Sequence, residues 1–311
     1  MARHNTMALV PREAPDMGFF SMQEDDPSTS RRDRSHNRSV FRTGQSTETD
    51  ALPIDLEIGR DIFTDPFPIA VFNPSRVWES LNAVALDSQH LARNGLFTKT
   101  EQSAAGPAFD ILRTRIAQAM ADKGWRRLGI TSPTHGCGKS FAAANLALAL
   151  ARRPGSRTVL IDLDLRSPGL HHLFGLSPLG PLREFLDGTQ PMESLFVRIG
   201  RSLAIGLNSE PLMDAGDVLH APDTADALAA MDIQLDPELV ILDLPPTLVG
   251  DDVIAMADKM DAVLLVVDAT KTTAKEIRAC EALFEGKVPL LGVVLNQAQD
   301  HGLGKLRYGK T

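Results

Sequence analysis

Leu128-Gly-Ile-Thr-Ser-Pro-Thr-His-Gly-Cys-Gly-Lys-Ser140 runs an apolar strand straight into a glycine-spaced turn, and the helix-forming stretch Phe141-Ala-Ala-Ala-Asn-Leu-Ala-Leu-Ala-Leu-Ala151 follows at once. Gly136 and Gly138 can take backbone angles closed to other residues, so their amides can turn inward around an anion. The new helix adds unpaired N–H groups and the positive end of its dipole. This is the pattern of a phosphate-binding loop. Its contacting stretch is Thr134, His135, Gly136, Cys137, Gly138, Lys139, Ser140 and Phe141. Lys139 is expected to reach the β/γ-phosphates, and the Ser140 hydroxyl to sit on Mg²⁺. The pattern G-x-x-x-x-G-K-[ST] asks for glycine at 133, where this chain has Pro133. On these residues alone, a tight strand-to-helix connection is the alternative.

Two segments downstream bear on that choice. Thr158-Val-Leu-Ile-Asp-Leu-Asp-Leu-Arg166 is a buried-type strand ending in carboxylates, and Asp162 and Asp164, two apart on an extended chain, project to the same side. Glu238-Leu-Val-Ile-Leu-Asp243 is a second apolar run closing on aspartate, and the Leu-Pro-Pro-Thr after it cannot continue a central strand. Asp243 reads as the Walker B carboxylate that holds Mg²⁺ directly or through water. Each aspartate alone reads equally well as a strand-end cap. Three apolar strands ending in turn on Gly-Lys-Ser, Asp-x-Asp and Asp-Leu-Pro-Pro point together to a nucleotide.

Composition narrows the class. With 311 residues, 43% of them hydrophobic, the chain can bury one sizeable core plus tails. A net charge of −8 argues against broad nucleic-acid affinity, which needs a positive field. The two cysteines, Cys137 and Cys280, are too few for a disulfide framework and suggest a reducing compartment. No apolar run reaches the roughly 20 residues of a membrane span, and the N-terminus lacks the apolar core of a signal peptide. The expectation is a cytoplasmic protein.

Residues 1–75 are rich in Ser, Thr, Pro, Asp and Arg without sustained periodicity and read as largely disordered, and 76–106 as an extended lead-in. The cluster Arg31-Arg-Asp-Arg-Ser-His-Asn-Arg38 reads as a solvated tail, with acidic lipid or a partner as the alternative. From 107 a helix begins with Phe109, Leu112, Ile116 and Ala119 on one stripe. Strands are then expected at 127–131, 158–163, 203–207, 238–243, 262–267 and 290–295, and helices at 140–151, 251–259 and 273–285. Apolar strands alternating with helices imply an α/β fold, a mostly parallel central sheet with helices on both faces. Ligands in such sheets bind beyond the carboxyl ends of the strands, where all three motifs fall. The globular domain closes near 298, and 299–311 reads as a flexible tail holding the chain's single tyrosine, Tyr308.

These residues resemble the nucleotide-binding domain of the bacterial tyrosine kinases of capsule and exopolysaccharide synthesis. The similarity spans about residues 86–298. It is carried in order by "LDSQHLARNGLF", "LRTRI", "TSPTHGCGKS", "VLIDLDLRSPGLHHLFGL", "PLREFLDG", "ILDLPPTLVGDD", "DAVLLVVDATKTT" and "GVVLN". The resemblance implies a P-loop NTPase fold, ATP and Mg²⁺ as cofactors, and γ-phosphoryl transfer to tyrosine in a C-terminal tail, here Tyr308. It also implies a membrane-embedded polysaccharide co-polymerase as activating adaptor, recruitment to the inner face of the membrane, and a homo-oligomer. By the same resemblance Lys139 and Ser140 hold phosphates and Mg²⁺. Asp162 and Asp164 share the roles of base and metal-side carboxylate in an undecided order, and Asp243 is the Walker B acid. Arg166 aligns with an arginine near the family's site, and an exposed helix-start arginine is the alternative.

Two departures bear on function. The family's oligomerisation helix carries Glu-x-x-Arg-x-x-Arg, whereas this chain has Pro107, Asp110 and Arg113. The family's tail is a cluster of tyrosines, and this one has only Tyr308. Two other functions therefore compete with the kinase. One is a nucleotide-dependent regulator of the polysaccharide machinery without kinase activity. The other is a partitioning-type ATPase, whose relatives carry an extra lysine where this chain has Thr134.

Overall fold

The computed structural model describes residues 6–10 and 73–298. In chain order the elements are β1 (Thr6–Val10), α1 (Pro74–Ser80), β2 (Asn82–Val84), α2 (Ser88–Arg93), α3 (Gly106–Lys123), β3 (Arg127–Thr131), α4 (Lys139–Ala151), β4 (Thr158–Asp162), α5 (Leu170–Phe174), α6 (Arg183–Leu186), β5 (Phe196–Ile199), β6 (Leu203–Gly206), α7 (Ala215–His220), α8 (Pro222–Leu235), β7 (Leu239–Asp243), α9 (Asp252–Ala255), β8 (Ala262–Asp268), α10 (Ala274–Phe284) and β9 (Leu290–Ala298). They form a nine-stranded sheet of order β1-β9-β8-β3-β7-β4-β6-β5-β2. From β9 to β6 every neighbouring pair is parallel, whereas β1 joins β9 and β5 joins β6 antiparallel.

The alternation of side chains along each strand feeds two separate apolar layers. On β4, Val159 and Ile161 enter one cluster with Leu228, Met231 and Leu235 of α8, while Leu160 enters the other with Leu146 and Leu150 of α4. Apolar clusters cover both faces of the sheet, which is why these strands read as continuous hydrophobic runs. The α3 stripe buries Phe109, Leu112, Ile116 and Met120; Met120 takes the fourth place that sequence spacing assigned to Ala119, which is only partly buried.

Several elements differ from the sequence expectation. The N-terminal region read as disordered contributes β1, which is stabilised by a sheet edge distant in sequence and so leaves no local periodicity. The lead-in at 76–106 is not extended but carries α1, β2 and α2. Asn73 and Asp87 cap the two helices by accepting the N–H groups of Ser75 (3.0 Å) and Gln89 (2.8 Å). Asn145 of α4 ties this lead-in down, accepting the Phe97 N–H at 3.2 Å and donating to the Gly95 carbonyl at 3.3 Å. The stretch between β6 and β7 holds α7 and α8, where no element was expected. The helix expected at 251–259 is α9 followed by a 3₁₀ turn at Ala257–Lys259. The Arg31–Arg38 cluster and Tyr308 lie outside the described residues.

Candidate functional site

The site assembles at the carboxyl ends of β3, β4 and β7, three adjacent strands. β3 delivers the chain into the turn 132–138. Thr131 Oγ1 donates to the Pro245 carbonyl at 2.6 Å, and the Thr247 N–H donates to the Ser132 carbonyl at 2.8 Å, so the loops after β3 and β7 are joined. Pro133, where the motif has glycine, fits this arrangement. Its carbonyl accepts the Leu248 N–H at 3.1 Å, and its ring keeps φ negative where no left-handed angle is used.

Left-handed angles occur at Gly136 (φ +80°) and Gly138 (φ +90°), the two positions the motif reading singled out. Gly138 is demanded twice over, because a Cβ there would run into Asn296 Nδ2. That amide donates to the Cys137 carbonyl at 2.9 Å, and Gln297 Nε2 donates to the Gly136 carbonyl at 3.4 Å. Asn296 and Gln297, at the end of β9, brace the loop from behind, a role the sequence reading did not assign them. His135 is exposed at the loop tip, and Thr134 is half-buried with Oγ1 3.7 Å from Cys137 Sγ. The Cys137 side chain is buried, and the Phe141 ring packs edge-on to Phe109 with centroids 6.1 Å apart. Cys137 and Phe141 thus offer a ligand their backbone rather than their side chains.

Lys139 opens α4 and its ammonium sits among carboxylates. Nζ is 2.7 Å from Asp164 Oδ2, 3.7 Å from Asp243 Oδ1 and 3.2 Å from Ser140 Oγ. Asp162 and Asp243 end their strands and are register partners across the β4–β7 pair. Asp162 Oδ2 accepts the N–H groups of Gly169 (3.1 Å) and Leu170 (3.0 Å), the amides that open α5. Asp164 Oδ1 accepts the Ser167 N–H at 3.2 Å. Asp162 Oδ1 and Asp243 Oδ2 are buried without a hydrogen-bond partner among the described residues, while Asp243 Oδ1 is paired with the Lys139 ammonium.

Electrostatics follow from this crowding. Burial pushes the Asp162 carboxyl well above the usual range and the neighbouring Asp243 charge adds to the rise; the Leu170 N–H and Lys139 pull the other way. Asp243 is likewise raised by burial, against the pull of Lys139. Burial alone would lower the Lys139 ammonium, but Asp243, Asp164 and Asp162 outweigh it and hold the group above its ordinary value. The result is a charged lysine beside Asp162 and Asp243, two buried acids that resist ionising together.

Arg166 does not point to this cluster. Its guanidinium clasps Asp252 (Nε–Oδ2 2.9 Å, Nη2–Oδ1 3.0 Å) and donates to the Met213 carbonyl at 3.0 Å. On α3, Asp110 accepts the Thr100 hydroxyl at 2.7 Å and pairs with Arg152 and with Arg113 (3.3 Å). Pro107 lies in the first turn of the same helix. Among the described residues no group of three or more His, Cys, Asp or Glu side chains is arranged to hold a metal ion alone, and no helix is long and apolar enough to cross a membrane.

A glycine-built anion loop, a helix-start lysine and strand-end carboxylates on a parallel sheet define a P-loop nucleotide-binding protein. The chain belongs to the ParA family, described as NUBPL iron-transfer P-loop NTPase, whose profile matches residues 126–301. It is similar to tyrosine-protein kinase YwqD of Bacillus subtilis (strain 168), 29% identical over 218 residues that cover 66% of this chain and 86% of that protein. The succinoglycan biosynthesis transport protein ExoP of Rhizobium meliloti (strain 1021) is 33% identical over 224 residues, 70% of this chain and 28% of that protein. The chain thus spans little more than a quarter of the long curated relatives it matches. Among solved structures, the kinase domain of Escherichia coli tyrosine kinase ETK superposes with a TM-score of 0.58 at 26% identity, covering 67% of this chain and 81% of that one.

Proposed function

We propose that the chain is an ATP-dependent protein-tyrosine kinase of exopolysaccharide or capsule synthesis, transferring the γ-phosphoryl of Mg-ATP to Tyr308. The observation that carries this reading is the trio of buried carboxylates around Lys139, with oxygens of Asp162 and Asp243 left unpartnered at the head of a glycine-built anion loop. Buried carboxylate oxygens without partners are costly unless a ligand uses them. The donor set suits magnesium, which takes one or two carboxylates and completes its shell with water and phosphate oxygens. Magnesium supplies charge neutralisation and alignment of the phosphates when bound.

The chain's own groups then divide the work. The loop amides and the α4 N-terminus bind phosphate, and Lys139 turns from Asp164 and Asp243 to the β/γ-phosphates. Ser140, Asp164 and Asp243 would hold the metal. Asp162, with a free Oδ1 and a raised affinity for protons, accepts the proton of the tyrosine hydroxyl. A membrane-embedded co-polymerase is the partner proposed to bring the chain to the membrane. The printed names of the YwqD and ETK relatives support the kinase reading, and that of ExoP supports the polysaccharide context.

The test is a mixing experiment. Lys139→Met protein as acceptor and Tyr308→Phe protein as donor, incubated with Mg-ATP, should place phosphotyrosine on the acceptor alone. ATP hydrolysis without phosphotyrosine, even with the co-polymerase's cytoplasmic segment present, would establish the second reading, a regulatory ATPase. The presence of a single tyrosine in the chain favours that second reading.

A further inference from the structure

β9 is irregular where it meets the phosphate loop. β1 pairs Val10 with Val293, Leu9 with Val294 and Ala8 with Leu295, then slips so that Thr6 pairs with Ala298. Met7 alone therefore stands opposite two residues of β9, Asn296 and Gln297, which is a β-bulge. Gln297 has φ +58°, one of two positive-φ residues other than glycine among those described. A regular strand sends consecutive side chains to opposite faces. Here both reach the same loop, Asn296 Nδ2 to the Cys137 carbonyl and Gln297 Nε2 to the Gly136 carbonyl. On its other side the bulge is held by β8, through the pairing of Asn296 with Asp268 and the Ala269 N–H on the Asn296 carbonyl at 2.9 Å.

In a planar trans peptide the carbonyl of one residue and the N–H of the next point opposite ways. Binding the Gly136 and Cys137 carbonyls to β9 therefore turns the N–H groups of Cys137 and Gly138 away from β9, as an anion nest requires. We propose that β1 is a positioning strand for the phosphate loop. Its pairing on the outer edge of β9 sets the bulge, the bulge aims Asn296 and Gln297, and these orient the peptide planes that bind phosphate. Nucleotide affinity then depends on whether residues 6–10 are docked, and any strand competing for that edge controls the site from the far end of the chain. This inference rests on the nucleotide reading only in taking affinity as one of its readouts.

The test uses full-length chain carrying Ala8→Pro and Leu9→Pro. N–H groups alternate in direction along an edge strand, so the pair removes one that faces β9, and proline is excluded from such pairing. NMR of nucleotide-free protein should show the β9 amides that face β1 losing exchange protection, those that face β8 keeping it, and the Cys137 and Gly138 amide resonances shifted. Calorimetry with Mg-ATP should show affinity lower by about tenfold, the worth of roughly one hydrogen bond. A synthetic peptide of residues 5–11 should restore both. Gln297→Gly, which accepts φ +58° without strain, should give the same loss, and combining it with the β1 variant should add little. Unchanged loop resonances and affinity once the β1-facing amides of β9 are unprotected, or fully additive losses, would overturn the proposal. If the wild type binds no ATP, the nucleotide reading falls, while the loop resonances still judge the coupling.

Discussion

Replacing Asp162 by asparagine should stabilise the fold while removing activity. The carboxyl is fully buried, and Asp162 and Asp243 are register partners on adjacent strands. Strand spacing puts such groups about 5 Å apart, where two unit charges repel by ~3 kcal/mol at an effective dielectric of about 20. Lys139 offsets part of this. Asparagine keeps an oxygen for the Gly169 and Leu170 N–H groups and sets a neutral amide where a second carboxylate faced its register partner Asp243. A net gain of ~1–2 kcal/mol at pH 7 follows. That raises Tm by roughly 3–6 °C for a domain of this size. Because the native pKa of Asp162 lies above its unfolded value, its contribution is intact below the unfolded pKa and is lost as pH rises through the native one. The advantage of the variant should therefore vanish near pH 4 and grow towards neutrality. Scanning calorimetry from pH 4 to 8 measures it, and a phosphoryl-transfer assay should show turnover at least ~10²-fold lower. A variant less stable than wild type at pH 7, or equally favoured at every pH, would refute the argument.

Lys139→Met should abolish Mg-ATP binding in a calorimetric titration. It also removes the pull that holds Asp162 and Asp243 down, so its stability should fall further behind wild type as pH rises above about 4. Gly138→Ala forces a Cβ against Asn296 and a left-handed angle that costs an L-residue ~1–2 kcal/mol, and should cut nucleotide affinity with little change in the circular dichroism spectrum. Asp110 and Arg113 pair within the chain and Pro107 carries no charge, so light scattering at micromolar concentration should find a monomer or dimer without an adaptor. An octamer-sized particle would show that another surface has replaced this helix.

The strands were legible because a sheet covered on both faces needs unbroken apolar runs; β3 begins and ends where the sequence placed it, and β7 and β8 within a residue. The phosphate loop was legible because its chemistry is local. α8 escaped because its buried stripe, Thr224, Leu228, Met231 and Leu235, is thinned by alanines and aspartates that leave little contrast. Arg166, placed near the site by the family resemblance with an exposed helix-start arginine as the equal alternative, is paired with Asp252, 86 positions away, which nothing near it in sequence reveals. Asn296 and Gln297 were unreadable as loop braces, since a regular strand end would aim only one of them at the loop. Their common direction comes from a bulge whose opposite strand is at the far end of the chain.

The ammonium of Lys139 has one more consequence. Standing 2.7 Å from Asp164 and 3.7 Å from Asp243, it is a built-in counter-ion that a bare divalent ion must displace and then face as a like charge. A phosphate chain would draw the lysine off and free the same carboxylates. On the proposed reading the order of arrival would thereby be written into the site: the metal would come with its nucleotide, and stray divalent ions would find the door held by a residue of the protein itself.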